Sequence, residues 1–299
     1  MKRLIVNADD FGMTAGVNRA ISEAHRRGIV TSTTLMASGA AFDEAVAAAA
    51  VQPSLAVGCH VALVGGSPVL PACDIPRLAL VDAGGQTRFR RGFAQFIRAT
   101  LSNQVPAREI EREATAQIRR VQAAGIALTH LDTHKHTHVF PEVFRPLLRV
   151  ASALRVPVVR SPYEPPEAAR FTDILPRAGL WMRWLPVRAL RLFAAEFRRQ
   201  ARAEGVATTD GTIGITLTGF LDQRWLELLL ERLPEGTWEL LCHPAYEDAA
   251  WRAWGPRPGA GETELRILTS EATRRSVERL GIELISYRDL ARESRTAAA

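Results

Sequence analysis

The chain has 299 residues, 47% hydrophobic and 23% charged, the balance of a soluble globular protein long enough for one large core. Its net charge of +6 is nearly all arginine, with no zinc-finger, helix-turn-helix or RNP pattern beside it, so nucleic acid is set aside as a partner. No apolar run approaches the roughly 18 residues of a membrane span. Asp9-Asp10 comes too early for a secretory leader, and Cys59, Cys73 and Cys242 lack CxxC spacing, so a reduced, cytoplasmic setting is expected.

In chain order, Leu4 to Asp9 reads as a buried strand running into Asp9-Asp10. A turn at Phe11-Gly12 leads to a helix over residues 14–25, with Thr14 as its N-cap and Gly28 beyond its end. The β-branched stretch 29–36 is the next strand, and the Ala-rich stretch 42–51 a helix stopped by Pro53. Residues 55–61 form a strand with His60 near its end; residues 64–92 are turn-rich and expected to pass over the site. An amphipathic helix over 108–124, with Ile110, Ala114, Ile118 and Val121 on one face, precedes a short strand from Gly125. Beyond it come a helix at 141–154, a strand at 156–160, an irregular insert at 161–222 and, within it, a strand at 213–218. A helix at 223–233, a strand at 237–243 ending in Cys-His-Pro, a helix at 270–280 and a strand at 282–285 follow, and the tail 291–299 is expected to fray.

Alternating strands and helices throughout argue for an α/β fold with a mostly parallel sheet: one domain over 1–290, a distorted (β/α) barrel, with a doubly wound sheet as the alternative. In either, strand C-termini gather at one face, where active sites form.

That face is where the chemistry converges. Four of the seven histidines fall within His130-Leu-Asp-Thr-His-Lys-His-Thr-His138. If the strand runs on, alternation points His130, Asp132, His134, His136 and His138 one way and Leu131, Thr133, Lys135 and Thr137 the other. Imidazole is the commonest metal ligand and a carboxylate its usual outer partner, so the cluster reads as metal chemistry, not a surface run or a tag. Asp9, Asp10, His60 and His243 arrive at the same face from other strand ends. Asp9 and Asp10 could be a helix cap and a turn residue; alternatively, one carboxylate binds a cation while its neighbour takes a proton. His60 and His243 taken alone would be core histidines, and His25 a surface one. Cys59 and Cys242 alternate away as small core residues. Asp132 is better placed to orient a ligand than to be the metal carboxylate, since Asp10 is available. Sites of this kind leave open coordination positions for catalysis.

Asn7-Ala-Asp-Asp-Phe-Gly12, Gly58-Cys-His60, the 130–138 cluster, Cys242-His-Pro-Ala and Ser286-Tyr-Arg-Asp-Leu290 together resemble the YdjC-type carbohydrate deacetylases. That family includes chito-oligosaccharide and hopanoid-biosynthesis-associated deacetylases. The likeness spans residues 3–163 and 237–290, with no motif in 164–236. It implies a distorted barrel that hydrolyses the acetamide of N-acetylhexosamines with a divalent metal. It matches Asp9 to the general base and Asp10, His60 and His134 to the metal ligands. His243 falls where a general acid is expected, leaving His130, Asp132, His136 and His138 as outer or substrate-facing groups. Lys135 replaces a histidine found there in some members, which leaves the three ligands intact.

The chemistry agrees: amide hydrolysis needs an activated water, a stabilised oxyanion and a proton for a poor leaving amine. Zinc is the default for a two-His, one-carboxylate set; magnesium, manganese, cobalt, nickel and iron also fit such donors. Two rivals stand: another metal hydrolase, of phosphoesterase or amidohydrolase type, reading His136-Thr-His138 as its ligand pair, and a non-catalytic metal- or sugar-binding protein.

The excess positive charge collects in residues 180–202. Leu190, Phe193, Ala194 and Phe197 recur at helical spacing, with arginines largely opposite and Trp181 and Trp184 ahead of them. That face either packs on the barrel or a second subunit, making a homodimer, or meets an anionic membrane or lipid-linked substrate.

Overall fold

A computed structural model describes residues 1–175 and 179–298. Its strands are β1 (Lys2–Phe11), β2 (Ser32–Leu35), β3 (Ala56–Val61), β4 (Ala79–Val81), β5 (Thr87–Phe89), β6 (Leu131–Thr133), β7 (Gly211–Ile213), β8 (Gly236–Cys242) and β9 (Glu283–Ile285). Seven of them form one parallel sheet in the order β6-β3-β2-β1-β8-β7, with β9 also paired to β1. β9 takes the first half of one edge of β1 (Arg3–Ile5) and β2 takes the rest from Asn7. Beyond β6 the ladder continues through single parallel bridges, Leu131 to Val159 and Val158 to Ala207. Residue 207 lies four before β7, so the sheet curls into a distorted barrel.

Strands buried on both faces need continuous apolar runs, which is why Leu4-Ile5-Val6 can stand at the centre with no exposure. Helices cover the outside, among them Ala15–Arg27, Phe42–Ala50, Ala107–Ala123, Pro141–Ala153, Gln223–Glu231 and Glu271–Arg279. Thr14 caps the first as its spacing predicts, its side chain accepting from the Val17 amide at 3.2 Å.

The departures from the sequence reading lie where local pattern is weak. β6 is only three residues long, and 156–160 contributes bridges but no ladder. The strand expected at 213–218 sits at 211–213 instead, because Gly214 turns at φ 96°, and the chain reaches the cavity wall at residues 218–220. The 64–92 excursion contains the antiparallel hairpin β4-β5 and is tied down from beneath: Glu113 accepts from the Val69 and Leu70 amides, and Glu109 from those of Arg77 and Leu78. The supposedly irregular insert holds helices at Leu180–Leu190 and Ala194–Ala203. Of the tail expected to fray, residues 291–298 lie in a helix, Tyr287–Ala298, and Ala299 falls outside the described residues.

Candidate metal centre and active site

The upper end of the barrel opens into a cavity of about 670 Å³ lined by Asp9, Asp10, His60, His134, His136 and His243, with Trp254 among the remaining walls. Asp9, Asp10, His60 and His243, each anticipated at this face, thus meet there with His134 and His136 of the 130–138 cluster, whereas His130, Asp132 and His138 do not line it.

β1 ends irregularly: its register to β2 shifts between Ala8 and Phe11, and Asp10 has φ 67°. A left-handed non-glycine residue is strained, and aspartate tolerates it better than most. The twist separates the neighbours. Asp10 faces the histidines, its Oδ1 3.0 Å from His134 Nδ1 and 3.3 Å from His60 Nε2. Asp9 turns into the barrel, where Arg160 holds it by two contacts of 2.6 and 2.8 Å.

Alternation along the 130–138 stretch holds as far as His134 and then fails. Lys135 and His136 both adopt left-handed conformations (φ 56° and 50°), and His134–Val139 closes into a tight 3-10 turn. Lys135 is therefore exposed, His136 lines the cavity, and His138 returns to the core. There Nδ1 of His138 meets Thr133 Oγ1 at 2.6 Å and Nε2 meets the Arg160 carbonyl at 3.2 Å, so both ring nitrogens are engaged. His130 is also engaged twice, with Thr129 Oγ1 at 2.9 Å and Asn7 Oδ1 at 3.0 Å. Its ring stacks on Tyr287 at 3.7 Å. Gly58 makes room for it: a Cβ there would lie 2.5 Å from His130 Cε1. Neither His130 nor His138 reaches the cavity, and burial holds both well below the usual imidazole pKa, hence neutral.

His60 and His134 are built differently. His60 Nδ1 contacts Asp132 Oδ1 at 2.7 Å, which orients the ring and leaves Nε2 for the cavity. His134 Nε2 is buried with no hydrogen-bond partner. The donor atoms of Asp10, His60 and His134 all lie within 4.8 Å of one another. Asp9, His60 and Asp132 satisfy the same distance test, but Arg160 already occupies both carboxylates of that set, so the first set is the one open to a cation.

Beneath these groups the barrel carries charge where branched apolar layers are usual. Arg160, fully buried, meets Asp9, Asp132 at 2.6 Å and Glu239 at 2.5 Å. Three carboxylates thus meet one guanidinium, and Asp10 adds a fourth on the cavity side, against the histidines. Burial raises the Asp9 carboxyl, but Arg160 overrides this and holds it low and ionised. Burial disfavours charge on His60, yet Asp132 and Asp9 push its pKa well up. Glu239 is pushed up to about 7 by burial, against Arg160, and receives the Tyr287 hydroxyl proton. The surplus of negative charge, the converging donors and the unpartnered His134 nitrogen all fit a divalent cation.

His243 stands at the end of β8; its backbone amide donates to Glu264 Oε2 at 2.5 Å, and both line the cavity. Cys59 and Cys242 are buried and free, as expected of core residues.

Arg160, Glu239, Tyr287 and Glu264 escaped sequence reasoning. Arg160 ends an apolar strand as Asp9 and His60 do, so the same strand-end logic could have found it. Glu239 is a charge inside an apolar run, itself a flag. Tyr287 falls in the Ser286-Tyr-Arg-Asp-Leu290 motif, which gave it no role, and nothing local marks Glu264.

A family model described as YdjC-like protein matches residues 3–279. A carbohydrate deacetylase of Brevibacillus brevis is 36% identical over 96% of this chain and 99% of its own length. A chitooligosaccharide deacetylase of Yersinia enterocolitica is 34% identical, covering 96% and 99%. Among solved structures, one from Enterococcus faecalis titled a putative cellobiose-phosphate cleavage protein superposes with a TM-score of 0.72. It is 28% identical over 97% of this chain and 98% of that one.

Proposed function

Because the chain belongs to the YdjC-like family, we propose that it hydrolyses the acetamide of an N-acetylated hexosamine in a carbohydrate or glycolipid, aided by one divalent cation. The carrying observation is the convergence of Asp10, His60 and His134 on one cavity, with Asp9 and His243 in its walls. Bound by those three side chains, a divalent cation supplies polarisation of the acetyl carbonyl and acidification of the attacking water.

The chain's own groups do the rest. Asp9 accepts the water's proton. Its carboxylate is held by Arg160, Asn7 Nδ2 at 2.9 Å and Thr34 Oγ1 at 3.3 Å, which lower its proton affinity but keep it ionised and aimed. Arg160 shares its charge with Asp132 and Glu239, which softens that loss of basicity. Asp132 fixes the His60 ring so that Nε2 faces the cavity. His243 delivers a proton to the departing amine, since an amine leaves poorly as its anion.

The test is product analysis with protein stripped and then reloaded with zinc, magnesium, manganese, cobalt, nickel or iron. Acetate released from chito-oligosaccharides or N-acetylglucosaminyl lipids supports the reading. Phosphate release from phosphorylated sugars without acetate would make this another kind of metal hydrolase. Binding without any turnover would make it a binding protein.

A further inference from the structure

The basic segment 180–202 carries six arginines and one glutamate, and its apolar residues divide into two sets. The set picked out by sequence spacing lies inside. Phe197 is fully buried with its ring against Phe144 at 5.3 Å, Ala194 is buried, and Leu190 and Phe193 pack on the core. The other set faces water: Trp181 is 50% exposed, Leu185 61% and Leu192 84%, with Met182 beside them. Positions 181, 185 and 192 share one helical face. Phe171 and Leu175 precede them, so six of the thirteen exposed large apolar residues among the described residues fall between 171 and 192. Clustering of this kind marks an interaction surface, whereas scattered exposure does not.

From the exposed face we infer that the helix Leu180–Leu190 and the turn after it dock on an anionic lipid bilayer. Charge selects this occupant: Arg198, Arg199 and Arg202 are exposed on the next helix, and basic residues beside Trp and Leu are the make-up of an interfacial helix. A second copy would instead set two arginine-rich faces of a +6 chain against each other. No helix among the described residues is long and apolar enough to cross a membrane, so the contact is peripheral. The same helix borders the cavity through Arg183, which donates to the Thr218 carbonyl at 2.6 Å. Docking therefore sets the bilayer against a helix whose other side forms part of the cavity wall, which puts lipid-anchored acetylated sugars close to the site. That last step rests on the deacetylase reading; the docking does not.

Co-sedimentation of the full chain with vesicles tests it, using phosphatidylcholine alone against phosphatidylcholine mixed with phosphatidylglycerol. The protein should pellet with the mixed vesicles at low salt and be released by high salt. Arg198→Glu with Arg199→Glu should weaken binding on the order of tens of fold, at about fivefold or more per charge. Trp181→Ser with Leu185→Ser and Leu192→Ser should abolish it while leaving the melting temperature and acetate release from a soluble oligosaccharide unchanged. No pelleting at low salt overturns the proposal, as does pelleting that survives the triple apolar change. A wild-type dimer that the apolar triple converts to monomer also overturns it, because the face would then belong to a second copy. Loss of oligosaccharide hydrolysis in every preparation would overturn the deacetylase reading and leave the docking result standing.

Discussion

Two pairs of buried histidines, His130 with His138 and His60 with His134, are built for opposite ends. His130 and His138 have both ring nitrogens engaged by neutral partners and lie away from the cavity. His60 has Nδ1 on Asp132 and Nε2 turned to Asp10 at 3.3 Å, whereas His134 has Nδ1 on Asp10 and no partner for Nε2. Burial and residue type are the same in both pairs; what differs is who occupies the second nitrogen. A histidine whose hydrogen bonds are complete has nothing left for a cation, whereas one oriented by a carboxylate does.

The comparison breaks most visibly at the cavity pair. His134→Ala should remove bound metal and acetate release together, while His130→Phe and His138→Gln should keep full metal stoichiometry, measured by elemental analysis of dialysed protein. Equal metal loss in both groups would erase the distinction. Within the cavity, Asp9→Asn should keep the metal yet lower kcat by about 10²–10⁴-fold if Asp9 is the base. Near-normal kcat there would reduce Asp9 to a structural partner of Arg160.

Stability should respond in the reverse order. Removing Arg160 as Arg160→Met strands three carboxylates, two of them fully buried and Asp9 nearly so, and should cost about 3–5 kcal/mol in denaturant unfolding. Gly58→Ala drives a methyl into the His130 ring and should cost about 1–3 kcal/mol without touching the ligands.

The last effect is on pH dependence. Glu239 has a folded pKa of about 7, above the ordinary carboxyl value, so protonation favours the folded chain. Its contribution is complete below about pH 4.5 and is lost as pH rises through 7, a change on the order of 3 kcal/mol. Glu239→Gln should flatten that part of the curve of unfolding free energy against pH. An unaltered curve would mean that Arg160 keeps Glu239 ionised throughout.

Much of this was legible in the residues themselves. Apolar runs ending in Asp9-Asp10, His60 and His243 placed the strand ends, and strand ends in a parallel barrel share a face whatever the side chains. Asp132 could be singled out as an orienting group because Asp10 offered a competing carboxylate. The alternation of strands and helices and the helix cap at Thr14 followed from periodicity and capping chemistry, both of which act over a few residues, whereas the choice of a curled barrel over a doubly wound sheet waited on strand pairing.

Other features were decided only by tertiary structure. The left-handed conformations of Asp10, Lys135 and His136 carry no local signature, since non-glycine residues enter that region only when distant contacts compensate. They separate Asp10 from Asp9 and split the histidine run into ligands and core. Arg160 becomes the centre of the charge network because Asp9, Asp132 and Glu239 arrive from three other strands. The segment 180–202 likewise turned on packing: periodicity located the apolar set Leu190, Phe193, Ala194 and Phe197, but only the core could leave Trp181, Leu185 and Leu192 exposed. Sequence determines what each segment can offer locally; which offers are taken up depends on partners tens or hundreds of residues away, whose spacing along the chain contains no trace of their distance in space.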